Sequence, residues 1–280
     1  MKKSFLESEI GKMKSEDSFF HIIPAPLEKS VSYGGGTALA YDAIVEASQQ
    51  LELYDGKSSP SELGIFCGTP VECETDVETV IHRIENAVSE TFDIHAFPIL
   101  VGGEHTVSLG AFRALAKRNV QCGIIQFDAH ADLRETYDGT LYSHACVMRR
   151  AFEMGIPFLQ IGVRSVSSEE HSFRTLHSLR GFDAAQTYDH VELPDDFPDE
   201  VYITVDVDAF DISIMPATGT PEPGGMGWYQ FFDMVSSIAS HKRIIGFDLV
   251  EYAPIDGMHA YDYFCARLMY NMMGIIQRSR

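Results

Sequence analysis

The sequence predicts an α/β protein of the three-layer α/β/α kind, with a mainly parallel sheet buried between two layers of helices. Three observations carry this. Strand-length apolar runs alternate with helix-length segments along the chain. The strand runs show little polar alternation, as expected of a sheet covered on both faces. No linker, repeat or low-complexity stretch breaks the pattern, so residues 1–280 read as a single domain, with 1–18 a peripheral N-terminal segment.

Taken in order, a first strand falls at His21, Ile22 and Ile23 and is closed by Pro24-Ala25-Pro26. Gly34, Gly35 and Gly36 fit neither a dinucleotide nor a P-loop fingerprint and read as a sharp turn into a helix over 38–51. A short strand covers 65–67. Thr75 and Glu78 match a capping box, opening a helix whose Val77, Val80, Ile81, Ile84 and Val88 form one apolar stripe. A buried strand over 97–101 and a helix over 106–117 lead to the central strand, 122–127, and then a polar loop, 133–143. The second half continues with a helix over 144–154, a strand over 158–161, a helix over 169–179 and a strand over 201–205. The polar stretch 191–200 is a surface loop. Trp228, Phe231, Phe232, Val235 and Ile238 mark a further helix by their spacing, followed by a last strand over 244–249 and a closing helix over 261–278.

Charge and cysteine content narrow the function classes. Lys plus Arg is 21 and Asp plus Glu is 41, a formal charge of 21 − 41 = −20. Such a surface repels nucleic acid and anionic membranes and attracts a cationic substrate. The five cysteines form no CxxC pair, and several sit in apolar runs, which reads as reduced thiols in a cytoplasmic protein. No apolar run approaches membrane-spanning length, and 1–9 is too polar for a signal-peptide core.

The chemistry gathers after the strands. Ligands in open α/β sheets bind beyond the carboxyl ends of strands. Those positions here hold His105, then Asp128, His130 and Asp132, then Asp206 and Asp208. In extended chain, residues two apart share a face, so Asp128, His130 and Asp132 can point together, as can Asp206 and Asp208. Four carboxylates and two imidazoles, with no cysteine, favour a hard ion, Mn²⁺ first, over a thiophilic one. Six donors exceed what one catalytic ion takes; bridging carboxylates and two ions account for the set, and a water activated between them points to hydrolysis. A non-enzymatic acidic metal-binding or assembly protein is the alternative of another class.

These residues lie in segments that resemble a known family. Gly-Gly-Glu-His-Thr-Val-Ser at 102–108, Phe-Asp-Ala-His-Ala-Asp at 127–132 and Asp-Val-Asp at 206–208 are similar to the three signature motifs of the ureohydrolases, the arginase and agmatinase enzymes. Further segments at 216–225 and 246–251 match in the right order. Thr204 stands where Ser is usual, and Ile212 where Pro is usual. The resemblance implies an arginase-like fold, two Mn²⁺ per subunit, a homo-oligomer (trimer or hexamer) and hydrolysis of a guanidinium group to urea and an amine. It assigns the metal to His105, Asp128, His130, Asp132, Asp206 and Asp208, with Asp128 and Asp206 bridging and Asp132 also counted as catalytic. It gives Glu251 the guanidinium and His144 a part in proton transfer or substrate orientation. Asp248 and Asp211 read as structural.

Substrate choice rests on departures from arginases. Their Arg-Asp-Val-Asp stretch is Arg164-Ser165-Val166-Ser167 here, and the loop after Asp132 lacks the Asn that contacts an α-carboxylate. Both point away from arginine. The segment 143–150 is more like agmatinases, so the expected substrate is agmatine, yielding putrescine. Arg134 would instead suit a guanidino acid such as guanidinobutyrate or guanidinopropionate, unless Glu135 or Asp138 neutralises it.

Overall fold

The computed structural model describes residues 3–118, 121–184 and 191–280. Eight strands form one sheet: β1 (Phe20–Ala25), β2 (Ile65–Cys67), β3 (Phe97–Gly102), β4 (Cys122–Phe127), β5 (Phe158–Ile161), β6 (Gly181–Phe182), β7 (Glu200–Asp206) and β8 (Arg243–Val250). Their order is β2-β1-β3-β8-β7-β4-β5-β6, and every pairing is parallel. The helices are α1 (Glu7–Ile10), α2 (Ala40–Ser48), α3 (Val77–Asp93), α4 (Ser108–Lys117), α5 (Val147–Glu153), α6 (Ser168–Leu176), α7 (Trp228–His241) and α8 (His259–Ser279).

The strands are buried on both faces because alternate side chains enter two separate cores. Ile99, Val101, Ile125, Phe127, Ile203, Phe247 and Leu249 join residues of α2, α7 and α8 in one. Leu100, Ile124, Tyr202, Ile245 and Val250 join α3, α4 and α5 in the other. This is the predicted three-layer α/β/α arrangement, and it explains why the strands read as continuous apolar runs. The chain passes from β3 to β4 across a gap of two strands that β7 and β8 fill later. The carboxyl ends of β3, β8, β7 and β4 therefore lie side by side.

Several elements depart from expectation for identifiable reasons. β1 runs through Pro24 instead of stopping before it. The Pro24 carbonyl accepts from Val71 N at 2.8 Å on the β2 side, beyond the last β2 pairing, so its missing N–H removes no ladder bond there. α3 is capped by Asp76, not Thr75: the Asp76 carboxylate accepts from Thr79 N at 2.9 Å. A capping box does occur at α6, where Ser167 and Glu170 reciprocate. The helices expected to begin at 38, 106 and 144 each open with a single 3₁₀ turn. The two-residue β6 has no counterpart among the expected strands. The loop 191–200 is not wholly at the surface, since Val191 and Phe197 are buried in a core.

The N-terminal segment expected at the periphery is a correction. Phe5 and Leu6 are fully buried, and Leu6 N donates to Ser48 Oγ of α2 at 3.0 Å. Two large apolar side chains among polar neighbours are enough to anchor the segment. No helix among the described residues is long and apolar enough to cross a membrane.

Candidate metal centre and active-site cavity

Four adjacent strand ends deliver the candidate residues: β3 leads to His105, β8 to Glu251, β7 to Asp206 and Asp208, and β4 to Asp128, His130 and Asp132. They converge in two overlapping trios. His105, Asp128 and Asp132 offer donor atoms within 4.8 Å of one another, as do Asp128, His130 and Asp208. Asp128 belongs to both. Asp206 Oδ2 lies 3.5 Å from His105 Nδ1, on the first trio. All six metal candidates named from the sequence thus lie in one cluster.

The local chain path differs from the extended run expected after β4. Strand geometry ends at Phe127; His130 N donates to Asp128 Oδ1 at 2.6 Å, and Asp132 takes a left-handed backbone with φ 52°. A turn, not a period of two, brings the three side chains together. Glu251 is also left-handed, with φ 61°. Non-glycine residues seldom adopt this conformation, and two at one site mark backbone held against its preference by its surroundings.

His105 shows most clearly what the cluster is shaped for. Its Nε2 lies 2.8 Å from Thr204 Oγ1, and that hydroxyl donates to Asp248 Oδ1 at 2.6 Å. Thr204's single proton is spent on Asp248, so its oxygen accepts from Nε2–H, and in the neutral ring Nδ1 carries the lone pair. Nδ1 is buried and makes no hydrogen bond, although carboxylate oxygens of Asp132, Asp128 and Asp206 stand 3.0, 3.2 and 3.5 Å away. Three carboxylates and that nitrogen, facing one space, suit a cation there, either a proton on Nδ1 or a metal ion. On the second trio, His130 Nδ1 lies 2.8 Å from Asp208 Oδ2. Gln126 donates to Asp128 Oδ2 at 2.7 Å and is itself held by Gln160, its register partner in β5, at 2.6 Å.

The electrostatics agree. Burial, and then the neighbouring carboxylate of Asp128, pushes Asp132 up to about 7. Burial and the charges of Asp208 and Asp128 carry Asp206 well above the usual range, and Asp208 is raised chiefly by burial. Burial also lifts Glu251 to about 8. For the two imidazoles burial opposes protonation, yet the carboxylates win: His105 is raised well above its usual value, and His130 up to about 12, chiefly by Asp208. Without ions, imidazolium charge is what balances the acids. The residues present therefore fit a pair of hard divalent cations.

The cluster forms the floor of a cavity of about 430 Å³, whose wall includes His144, Glu251, Arg134, Tyr137, Ser32 and Glu222. Glu251 Oε1 accepts from His105 N at 2.6 Å, which leaves Oε2 for another donor. His144 has its ring nitrogens near Ser30 Oγ (3.1 Å) and Ser32 Oγ (2.9 Å), and burial lowers its pKa. Gly34 N donates to Gly219 O at 3.2 Å, and a Cβ at Gly34 would press on Gly219 at 3.1 Å, so that glycine joins two wall segments as a close backbone contact. Arg134 is not neutralised by Glu135 or Asp138. Its guanidinium lies over the Tyr137 ring, 5.6 Å from the centroid. Arg164 clamps the 208–223 segment through the carbonyls of Asp208 (2.6 Å) and Glu222 (2.8 Å). Asp211 holds Gly224 N at 2.8 Å, as a structural residue would.

Sequence reasoning overlooked the supporting shell: Thr204, Gln126, Gln160, Ser30 and Ser32, with Asp248 taken as merely structural. For Thr204, Gln126, Gln160 and Asp248 the usable sign was a polar side chain inside an apolar strand, where each must find a partner; Ser30 and Ser32, outside any strand, carried no such sign.

The arginase-family model matches residues 19–274. An N(1)-aminopropylagmatine ureohydrolase of Synechocystis is 32% identical, over 97% of this chain and 93% of its own length. An agmatinase of Pyrococcus horikoshii is 31% identical, over 97% of each. The crystal structure of agmatine ureohydrolase of Thermoplasma volcanium, 30% identical, superposes with a TM-score of 0.89 over 99% of this chain and 95% of that one. The fold, the four converging strand ends and these matches agree: the chain belongs to the arginase family, as a hydrolase of the ureohydrolase kind that includes agmatinases and aminopropylagmatine ureohydrolases.

Proposed function

We propose that this protein hydrolyses agmatine to putrescine and urea, using two Mn²⁺ held by His105, Asp128, Asp132 and Asp206 on one side and Asp128, His130, Asp206 and Asp208 on the other. The observation that carries the reading is the buried, unpartnered Nδ1 of His105 facing three carboxylates at the floor of a cavity that also holds Glu251. When bound, such ions supply Lewis acidity that makes a water nucleophilic near neutral pH. The protein's own residues do the rest. Glu251, anchored at Oε1 by the His105 amide, presents Oε2 to the N–H groups of the guanidinium and orients its carbon toward the floor. His144, on the wall, handles the proton that the departing amine needs, because an amine leaves poorly as an anion. Charge −20 favours a doubly cationic substrate at long range.

Ser165 and Ser167 in the cavity wall offer no charge to an α-amino group, which supports agmatine over arginine. Arg134 favours a second reading. It lines the cavity and pairs with no carboxylate among the described residues, so a guanidino acid such as guanidinobutyrate or guanidinopropionate could meet it there. A cytoplasmic homo-oligomer, trimer or hexamer, completes the reading. The test is urea release, with Mn²⁺ loaded, from agmatine, aminopropylagmatine, arginine, guanidinobutyrate and guanidinopropionate. Agmatine is expected to exceed arginine by at least about 100-fold in kcat/KM, given what an unmatched charged group costs in a pocket. Arginine matching agmatine would refute the assignment; preference for the acids would select the second reading.

A further inference from the structure

Both ring nitrogens of His144 are occupied by serine hydroxyls, and this determines how the imidazole can reach the cavity. On one side, Ser30 Oγ donates to Glu104 Oε1 at 2.8 Å. That carboxylate is saturated, since Oε1 also accepts from Thr106 Oγ1 (2.7 Å) and Oε2 from the amides of Lys29 (2.5 Å) and Ser30 (2.6 Å). A hydroxyl has one proton, and Ser30 gives it to a charged acceptor. Its oxygen, 3.1 Å from His144 Nδ1, can then only accept, so Nδ1 carries a hydrogen. Ser143 Oγ lies 3.3 Å from the same nitrogen, a longer contact that in this tautomer also accepts.

On the other side, Nε2 of the neutral ring is a lone pair, and Ser32 Oγ at 2.9 Å is its donor. Ser32 in turn lies 2.8 Å from the Tyr137 hydroxyl. With its own proton committed to Nε2, Ser32 accepts from the phenol. Tyr137 is built to stay there. Its ring packs edge-on against His144 with centroids 5.2 Å apart. Its backbone exchanges two 3.0 Å hydrogen bonds with Thr140 across a turn in which Asp138 and Gly139 both have positive φ, 49° and 79°. The hydrogen bonds thus run one way: Tyr137 to Ser32 to His144 to Ser30 to Glu104. Ser32 is exposed and lines the cavity.

We infer that Ser32 is the hydroxyl through which His144 exchanges protons with substrate, and that Tyr137 is the positioning residue that fixes its rotor. The inference rests on the proposed role of His144 in guanidinium hydrolysis. In that reaction the water oxygen ends in urea, and both of its protons end on the amine with the C–N electron pair. One of them passes through the ring: Ser32 takes it as the Ser32 proton moves to Nε2, which gives the imidazolium. The imidazolium Nε2–H goes to Ser32 Oγ as the Ser32 proton goes to the amine nitrogen, and His144 returns to its Nδ1–H form.

The test combines kinetics with ¹⁵N-histidine NMR on the full chain. Ser32→Ala is expected to lower kcat for agmatine about 100-fold or more, the size of a proton-transfer contribution, with KM within about twofold. Ser32→Thr, which keeps the hydroxyl, is expected to restore most of it, and Tyr137→Phe to lower kcat less than Ser32→Ala does. The His144 ring should show a protonated Nδ1 and an unprotonated Nε2, a state read without any metal or substrate. Ser32→Ala with native kcat, a change confined to KM, or a ring protonated at Nε2 alone would each overturn the relay while leaving the hydrolase reading intact. No urea from the unaltered protein with any guanidino compound would overturn both.

Discussion

At the scale of single residues, the site is an arrangement of fixed proton positions. Thr204 and Asp248 settle which nitrogen of His105 faces the acids. Removing that support should act on the metal and leave the fold in place. Thr204→Val, nearly isosteric, is expected to weaken Mn²⁺ binding about 10- to 100-fold, as outer-shell changes typically do. Isothermal titration into chelator-stripped protein checks it, and an unchanged affinity would mean that the hydroxyl is incidental. Glu251→Gln keeps the shape but removes the charge proposed to meet a guanidinium. Activity on agmatine should fall at least about 100-fold, given the strength of charge-assisted pairs, while the metal content stays at the native level. Replacing Thr204 by Ser, the usual residue of the family, should change little.

Elements explain why some of this could be read from the chain and some could not. The strand runs and helix stripes were legible because burial on both faces leaves a composition trace that needs no partner to interpret. His105, Asp128, His130, Asp132, Asp206 and Asp208 were legible because each ends or follows a strand, and strand ends of a parallel sheet share one edge. What could not be read is the set of contacts between distant segments. Ser30 and Ser32 meet His144 across more than a hundred residues, and nothing local in Lys29-Ser30-Val31-Ser32 announces it. The turn that gathers Asp128 to Asp132 and the anchoring of residues 3–18 were missed for the same reason. The latter makes a clear prediction. Leu6→Ala empties a fully buried position and should cost about 2–5 kcal/mol in denaturant unfolding. A truly peripheral segment would show a change within about 0.5 kcal/mol.

For the whole molecule, the topology concentrates charge at one edge of the sheet, and stability should record it. In the metal-free protein, Asp132 and Glu251 titrate at about 7 and 8, against unfolded values of about 3.9 and 4.3. Carboxyls raised on folding bind more protons in the native state. Their stabilising contribution is therefore full below the unfolded values and lost as pH rises through 7 to 8. His105 and His130, also raised, have the same sign over this window. The metal-free protein should melt at a lower temperature at pH 8 than at pH 6, and added Mn²⁺ should recover more at pH 8, because the ions replace the lost protons. Equal melting temperatures for the metal-free protein at the two pH values would contradict this balance of charge.

We propose that four neighbouring strand ends build one two-ion site for guanidinium hydrolysis. The most direct test is to strip the protein with a chelator and follow urea release from agmatine as Mn²⁺ is titrated back. No urea is expected without metal, and activity should reach its plateau at two equivalents per chain. Urea release by the stripped protein, or a plateau at one equivalent, would contradict the proposal.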